Sequence, residues 1–264
     1  MSAPYLVDSH CHLHDREFFS ESQAEDMLKN AKDCNVKQII CIGTNHSDSL
    51  EAKKFASTHP NVFWTYGIHP EETSKNDDFK PVFSNPEEVA VDSRLVAIGE
   101  VGLDYHYTGY DRAAQIKLLE QMLQLAISLN LPCSFHVRDA LDDFFGIIDN
   151  FSSLKPSVLH SFTDSSANLK KAISRGLYIG FNGIATFANL SCYKVFTPDF
   201  LSYCVLETDA PFLTPEPKRG KINEPGNIKY IAAYLANQLG VSPTQVAKKT
   251  TQNVRNLFNL PYPD

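Results

Sequence analysis

The chain has 264 residues, with 24 Lys and Arg against 31 Asp and Glu and a formal net charge of −7. Hydrophobic residues make up 43% and charged residues 21%, which excludes a disordered chain, and the length suits one α/β barrel of about 250 residues or two smaller domains. The acidic balance excludes a protein that coats nucleic acid by bulk positive charge, but not an enzyme whose site carries its own positive charge as metal ions.

The chain meets Asp8 before any signal-peptide core can form, and it contains no long apolar run, so it is expected to act in the cytoplasm, or the nucleus of a eukaryote, without a membrane. A first strand is predicted at 5–10. A helix follows at 22–35, with Ala24, Met27, Leu28 and Ala31 at three- and four-residue spacing. Further strands are predicted at 36–43 and 62–69, then a polar loop with a short helix at 71–88 and a strand at 95–102. The longest helix, 111–130, carries Ile116, Leu119, Met122, Leu123, Ala126 and Ile127 on one stripe. Strands at 132–137, 157–162, 177–181 and 203–208 are accompanied by helices at 140–151, 164–175 and 226–239. Gly176 and Gly240 stand where a helix wants a left-handed residue after its last turn. A final helix, 242–258, opens on Ser242-Pro243, a cap followed by the first helical position. The six cysteines are scattered, without a CxxC pair, and read as reduced thiols; Cys41 and Cys204 sit in apolar runs as small core residues.

Eight strands, many of them continuous apolar runs, alternate with helices, which points to parallel strands buried on both faces. Polar residues recur at the strand ends: His10 and His12, His69, Glu100 and Asp104, His136 and Arg138, His160, Glu207 and Asp209. An open sheet would spread these along a line, whereas a closed barrel converges them on one mouth. The expectation is therefore a single domain over 1–264, a (β/α)8 TIM barrel with its active site at the C-terminal ends of the strands.

In His10-Cys11-His12 the two imidazoles point to one side of a strand, and neutral imidazole suits several transition metals. A chance His-x-His carries modest weight alone. His14 continues the alternation beyond the strand and reads as a surface histidine. Glu100, inside Ala97-Ile98-Gly99-Glu100-Val101-Gly102, is costly unless paired or metal-bound; its two oxygens suit a ligand bridging two cations, and the flanking glycines suggest close backbone approach. His136 and His160 interrupt consecutive strands at corresponding positions, as ligands of a shared metal would. Arg138 points the same way as His136, toward the mouth, where it suits a bidentate phosphate clamp. Asp209 closes the eighth strand as a ligand or as the acceptor of a proton from a metal-bound water. The loop with Lys218, Arg219 and Lys221 reads as a phosphate-steering element over the mouth.

These residues fall into seven ordered motifs: His10-Cys11-His12, Gly67-Ile68-His69-Pro70, Gly99-Glu100-Val101-Gly102-Leu103-Asp104-Tyr105, His136-Val137-Arg138, His160-Ser161-Phe162, Glu207-Thr208-Asp209-Ala210-Pro211 and Asn223-Glu224-Pro225. Together they resemble the TatD family of metal-dependent deoxyribonucleases, over essentially the whole chain. The resemblance implies that His10, His12, Glu100 and Asp209 hold one metal and that Glu100, His136 and His160 hold another. It implies DNA cleavage with two divalent ions, Mg2+ or Mn2+ in use and Zn2+ favoured in crystals, acting on single-stranded or frayed 3′ ends. Glu100 and Asp209 are then catalytic, and His69, Arg138, Asp104, Lys218 and Arg219 engage the substrate, with the protein a monomer. A histidine in Tyr105-His106-Tyr107-Thr108 stands where other residues also occur in the family. The family also includes members proposed as D-aminoacyl-tRNA deacylases, which is the alternative activity together with other ester or amide hydrolysis. A small-molecule amidohydrolase on this barrel commonly bridges its metals with a carboxylated lysine on the fourth strand; here that strand offers Glu100 and no lysine. An intact ligand set also argues against a non-catalytic metal binder.

Overall fold

The computed structural model describes residues 4–74 and 92–263. Eight strands, β1 (Leu6–Cys11), β2 (Val36–Cys41), β3 (Val62–Tyr66), β4 (Leu95–Asp104), β5 (Cys133–Arg138), β6 (Val158–Leu159), β7 (Tyr178–Phe181) and β8 (Cys204–Leu206), pair in chain order, each parallel to the next. Among the described residues the α-helices are α1 (Glu21–Asp33), α2 (His46–Thr58), α3 (Arg112–Ser128), α4 (Leu141–Ile148), α5 (Ser166–Ser174), α6 (Ile228–Leu239) and α7 (Pro243–Phe258). This is a TIM (β/α)8 barrel, as expected. Parallel neighbours require crossovers, and every residue of β1, β3, β4 and β8 is buried, as strands covered on both faces must be.

The seam between β1 and β8 closes the ring. Ser9 Oγ donates to Leu206 O at 2.9 Å, Asp209 N to His10 O at 2.8 Å and His12 N to Ala210 O at 2.7 Å. Asp8 is fully buried there and accepts from Thr208 N (2.8 Å) and Thr208 Oγ1 (2.5 Å). The seam thus ties the strand ends carrying His10 and Asp209 directly to each other.

Helix boundaries follow local chemistry. Ser20 before α1 and Ser242 before α7 each form a reciprocal capping box, with Gln23 and Gln245, and Pro243 takes the first position of α7. Gly240 ends α6 at φ 64°. A second buried cluster joins Val7, Ile40, Phe63, Val96, Val158 and Val205 from the strands to Val254, Leu257 and Phe258 of α7, so the last helix covers the sheet.

Several expectations change. The sixth and eighth strands shrink to two and three residues, because their ends leave the ladder to present His160 and Asp209, both of which lie just beyond them. The fourth strand instead runs on to Asp104. Helix α2 has no counterpart in the predicted elements: it buries Ser49, Ala52, Phe55 and Ala56, a stripe of small residues around one large apolar side chain. Between β7 and β8 the chain makes three short 3-10 turns, Gly183–Thr186, Ser191–Val195 and Pro198–Ser202, in place of a helix. Of the loop expected at 71–88, the 3-10 turn Pro70–Ser74 is described; the remainder lies outside the described residues. All six cysteines are free thiols. No helix among the described residues is long and apolar enough to cross a membrane.

Candidate metal centre

The C-terminal ends of the strands bring His10, His12, His69, Glu100, His136, His160 and Asp209 to one cleft. Glu100 is 5% exposed, and its backbone N–H is anchored on Gly43 O at 2.7 Å. The glycines around it do allow close approach. A Cβ on Gly99 would lie 2.6 Å from Ser134 Cβ, and one on Gly102, at φ 155°, would overlap the His136 carbonyl. Strand β5 therefore lies close enough to set His136 against Glu100.

The two Glu100 oxygens face different partners. Oε2 lies 3.5 Å from His10 Nε2 and 3.9 Å from His12 Nε2. Oε1 lies 2.9 Å from His136 Nδ1, 3.9 Å from His160 Nε2 and 3.8 Å from His69 Nε2. Asp209 Oδ1 sits 3.5 Å from His12 Nε2, 3.6 Å from His10 Nε2 and 3.9 Å from His160 Nε2. Metal–ligand bonds of about 2.0–2.2 Å put neighbouring donors about 3–3.5 Å apart; apart from the His136–Glu100 contact, these spacings are at or somewhat beyond that range and are long for direct hydrogen bonds.

The imidazoles are aimed by partners outside the cleft. His12 Nδ1 is 3.0 Å from Ile42 O; a carbonyl only accepts, so Nδ1 carries the proton and Nε2 offers a lone pair to the cleft. His160 Nδ1 lies 3.0 Å from Glu207 Oε1, leaving its Nε2 toward Glu100 and Asp209. His136 Nε2 is bonded to Asp104 Oδ2 at 2.9 Å, leaving Nδ1 to Glu100. His10 is fully buried, stacked on His160 with ring centroids 3.6 Å apart, and neither of its ring nitrogens has a hydrogen-bond partner among the described residues. Buried orphan nitrogens are costly unless something else occupies them. The donor set thus fits divalent cations, and three His/Glu groups among the described residues lie within reach of one ion: His10, His12 and Glu100; His10, His160 and Glu207; and His69, Glu100 and His136.

His69 differs from the others. Its Nδ1 accepts from Glu71 N at 3.3 Å, so the neutral ring carries its proton on Nε2, the nitrogen facing the cleft. Burial, then His136 beside it, pull its pKa down to about 3, which keeps it neutral. It is built as a hydrogen-bond donor. Burial alone would raise the Glu100 carboxyl, but the imidazoles of His10 and His136 hold it well below the carboxylate range. Burial opposes protonation of His160 and His136, yet Glu207 and Asp209 push the first up to about 10, and Asp104 and Glu100 push the second up to about 9. In the absence of a cation, the carboxylates draw protons onto these rings instead.

The cleft measures about 580 Å³, and of the five residues expected to engage substrate Arg138 and His69 line it. The other three expected substrate residues lie elsewhere. Asp104 is buried, with Oδ1 accepting from His106 N and Oδ2 from His136, so it braces a ligand ring. Arg219 packs its guanidinium 3.8 Å over the Phe187 ring and donates to Thr214 O; Lys218 lies near Tyr230; neither lines the cleft. These cations point along the loop because aromatic faces and a carbonyl hold them there. His14 is not a surface residue: it is 1% exposed and pairs with Asp48 at 2.9 Å, at the first turn of α2. Glu207, named only as a strand-end acid in the sequence, accepts from Ser161 N (2.7 Å) and Asn182 Nδ2 (3.1 Å) and faces His160. The signal that marked Glu100, a carboxylate within an apolar strand, marks Glu207 as well. Gly180 accommodates it, since a Cβ there would overlap its carboxylate. Asn223 ties the loop after β8 by donating to Thr208 O (2.8 Å) and Phe212 O (2.7 Å).

Residues 7–259 match the family described as TatD related DNase. The metal-dependent hydrolase YcfH of Escherichia coli K12 is 33% identical over 261 residues, spanning 97% of this chain and 96% of its own. The 3′-5′ ssDNA/RNA exonuclease TatD of Salmonella typhimurium is 32% identical over 248 residues, spanning 89% and 93%. The crystal structure of YJJV, a TatD homolog from Escherichia coli, shares the fold with a TM-score of 0.87 at 24% identity, covering 97% of this chain and 98% of that one.

Proposed function

The chain belongs to the TatD-related DNase family, and from that premise we propose that it is a divalent-metal-dependent nuclease that hydrolyses phosphodiester bonds at the 3′ ends of single-stranded DNA. A relative of this family is named a 3′-5′ ssDNA/RNA exonuclease, which supports the substrate. The observation that carries the mechanism is Glu100, whose two oxygens face two sets of imidazoles.

In this reading His10, His12 and Asp209, with Glu100, would hold one cation, and His136 and His160, with Glu100, would hold a second. Mg2+ or Mn2+ serves in use, and imidazole-rich ligation favours Zn2+ by affinity. Two such cations would polarise the phosphodiester, lower the pKa of the attacking water and offset the charge of the leaving oxygen. Asp209 accepts the proton of that water. Burial would raise its pKa, but His160 and His12 keep it ionised, which a base requires. The neutral Nε2–H of His69 donates to a phosphate oxygen, and exposed Arg138, on the rim, clamps a second phosphate. Lys218 and Arg219 meet only a strand that runs on past the cleft. Asp104 and Glu207 hold the His136 and His160 rings in place.

A second reading is hydrolysis of an aminoacyl ester such as D-aminoacyl-tRNA. The carboxylates Asp15, Glu71 and Glu72 also line the cleft, and they suit an ammonium group better than a phosphate. The deciding experiment incubates the protein with 5′-labelled single-stranded DNA in Mg2+ or Mn2+, with and without EDTA, beside a D-aminoacyl-tRNA. A ladder of products shortened from the 3′ end, abolished by EDTA, is expected. Intact DNA in every metal with release of the amino acid would overturn the nuclease in favour of the esterase.

A further inference from the structure

Two aromatic rings stand on the wall of the cleft although each is too large to be left outside at no cost. Phe18 is 44% and Phe212 47% exposed, and both line the same cleft as the metal centre. Their centroids are 5.2 Å apart at 81°, so they form a corner, and the Phe212 ring lies 6.2 Å from that of His12. Neither is loose. Phe212 N donates to Asp209 O at 2.7 Å, and the Phe212 carbonyl accepts from Asn223. Phe19 is buried at 1% exposure and its N–H bonds to Asp15 O, whose own N–H bonds to His12 O. Burying Phe19 in this turn sends Phe18 outward. Both rings are thus mounted on the chain segments that follow His12 and Asp209, at fixed positions beside the centre.

Resting on the nuclease reading, we infer that Phe18 and Phe212 form a platform on which the terminal base of a single-stranded nucleic acid stacks while its phosphate lies at the metal centre. Uncharged rings give a phosphate nothing to bind, whereas every nucleobase has a π-face, so a platform of this kind is sequence-tolerant. In a duplex both faces of an internal base are covered by its neighbours, and only an unpaired or frayed end offers one. Elsewhere on the cleft Tyr107, 57% exposed, lies against Arg138, with the guanidinium carbon 5.3 Å from the ring centroid, where the adjoining nucleotide can find an aromatic face and a positive charge together.

The test pairs protein variants with substrate variants. Phe18→Leu and Phe212→Leu, singly and together, keep apolar bulk and remove the flat face. Each is assayed for kcat/KM on a labelled single-stranded oligonucleotide and on the same oligonucleotide ending in abasic nucleotides, with metal content measured by elemental analysis. Stacking per base corresponds to about five- to a hundredfold in binding. The double variant should therefore lose at least about fivefold more on the base-bearing end than on the abasic end, with its metal retained. Equal losses on both substrates, or a fall in metal content, would make the rings mere supports of the centre and overturn the platform. Wild-type protein that cleaves normal and abasic ends equally well overturns it too, while leaving the nuclease intact. Wild-type protein that cleaves neither in Mg2+ or Mn2+ removes the nuclease reading itself, and the platform with it.

Discussion

His160 can serve a cation only if its ring is held in one orientation, and Glu207, 3.0 Å from Nδ1, provides that restraint from the far side. Outer partners of this kind are typically worth about 10–100-fold in metal affinity. Glu207→Gln keeps the size and the acceptor for Ser161 N but loses the charge, so Mn2+ or Zn2+ should bind at least about tenfold more weakly by calorimetric titration, in a protein that stays folded. Unchanged affinity would show that His160 needs no such partner. Glu100→Ala acts on the centre itself: it removes the carboxylate whose two oxygens face different sets of imidazoles. Hydrolysis should fall far beyond the tenfold that corresponds to about 1.4 kcal/mol of barrier. Near-normal turnover by the folded variant would end the bridging assignment. Arg138 has no capacity to ligate metal, so Arg138→Ala should raise KM for oligonucleotides while elemental analysis finds the same metal content. Loss of metal would reverse that role.

Between elements, α3 and α4 are joined at their starts. Arg112 donates from Nε and Nη2 to the two oxygens of Asp143 at 2.6 and 2.8 Å, and Tyr105 OH donates to the same carboxylate at 2.8 Å. Arg112, then Tyr105, lower the Asp143 pKa below the usual aspartate value. A depressed folded pKa means that the stabilisation is present above the unfolded aspartate range and is lost as the pH falls through the folded value. Asp143→Asn should lower the thermal midpoint by no more than about 2–4 °C at neutral pH, because the pair is largely solvated. The difference from wild type should shrink toward zero in strongly acid buffer and in high salt; a difference that persists in acid would locate the effect in packing rather than in the ion pair.

Across the whole molecule, one end of the barrel concentrates Glu100, Asp104 and Glu207 as buried carboxylates, with Asp209 only slightly more exposed. Packing this many acids together is stable only with compensating positive charge, from imidazolium protons or from cations. A ligand that binds only the folded state at a hundredfold excess over its Kd adds about 2.7 kcal/mol. Removing bound metal with EDTA should therefore lower the thermal midpoint by at least about 5 °C, and Mn2+ or Zn2+ in excess should restore it. A midpoint indifferent to chelation would mean that the acids are balanced by protons alone. The bridging bonds across the β1–β8 seam make this end of the barrel the part most sensitive to such a change, since the same segments carry His10, His12 and Asp209.

Local patterns were enough to read the alternation of buried strands and helices, the Ser242-Pro243 helix start, and the placing of histidines and acids at strand ends. Each depends on residues a few positions apart, and a carboxylate such as Glu100 within an apolar run announces its cost wherever the strand lies. Tertiary structure alone decided the rest. His14 looked exposed because Asp48, its partner, sits 34 residues on, in a helix whose stripe is mostly small residues and so carries little periodic signal. Asp104 serves the imidazole of the adjacent strand and Glu207 that of the strand two places away, and Lys218 and Arg219 lie against the rings of Tyr230 and Phe187, which belong to other segments of the chain. Which nitrogen of His12 faces the cleft is set by Ile42 O, just past the end of the next strand. Periodicity fixes which side of a strand a residue takes, but the atom it presents is fixed by hydrogen-bond partners that only the closed barrel brings together.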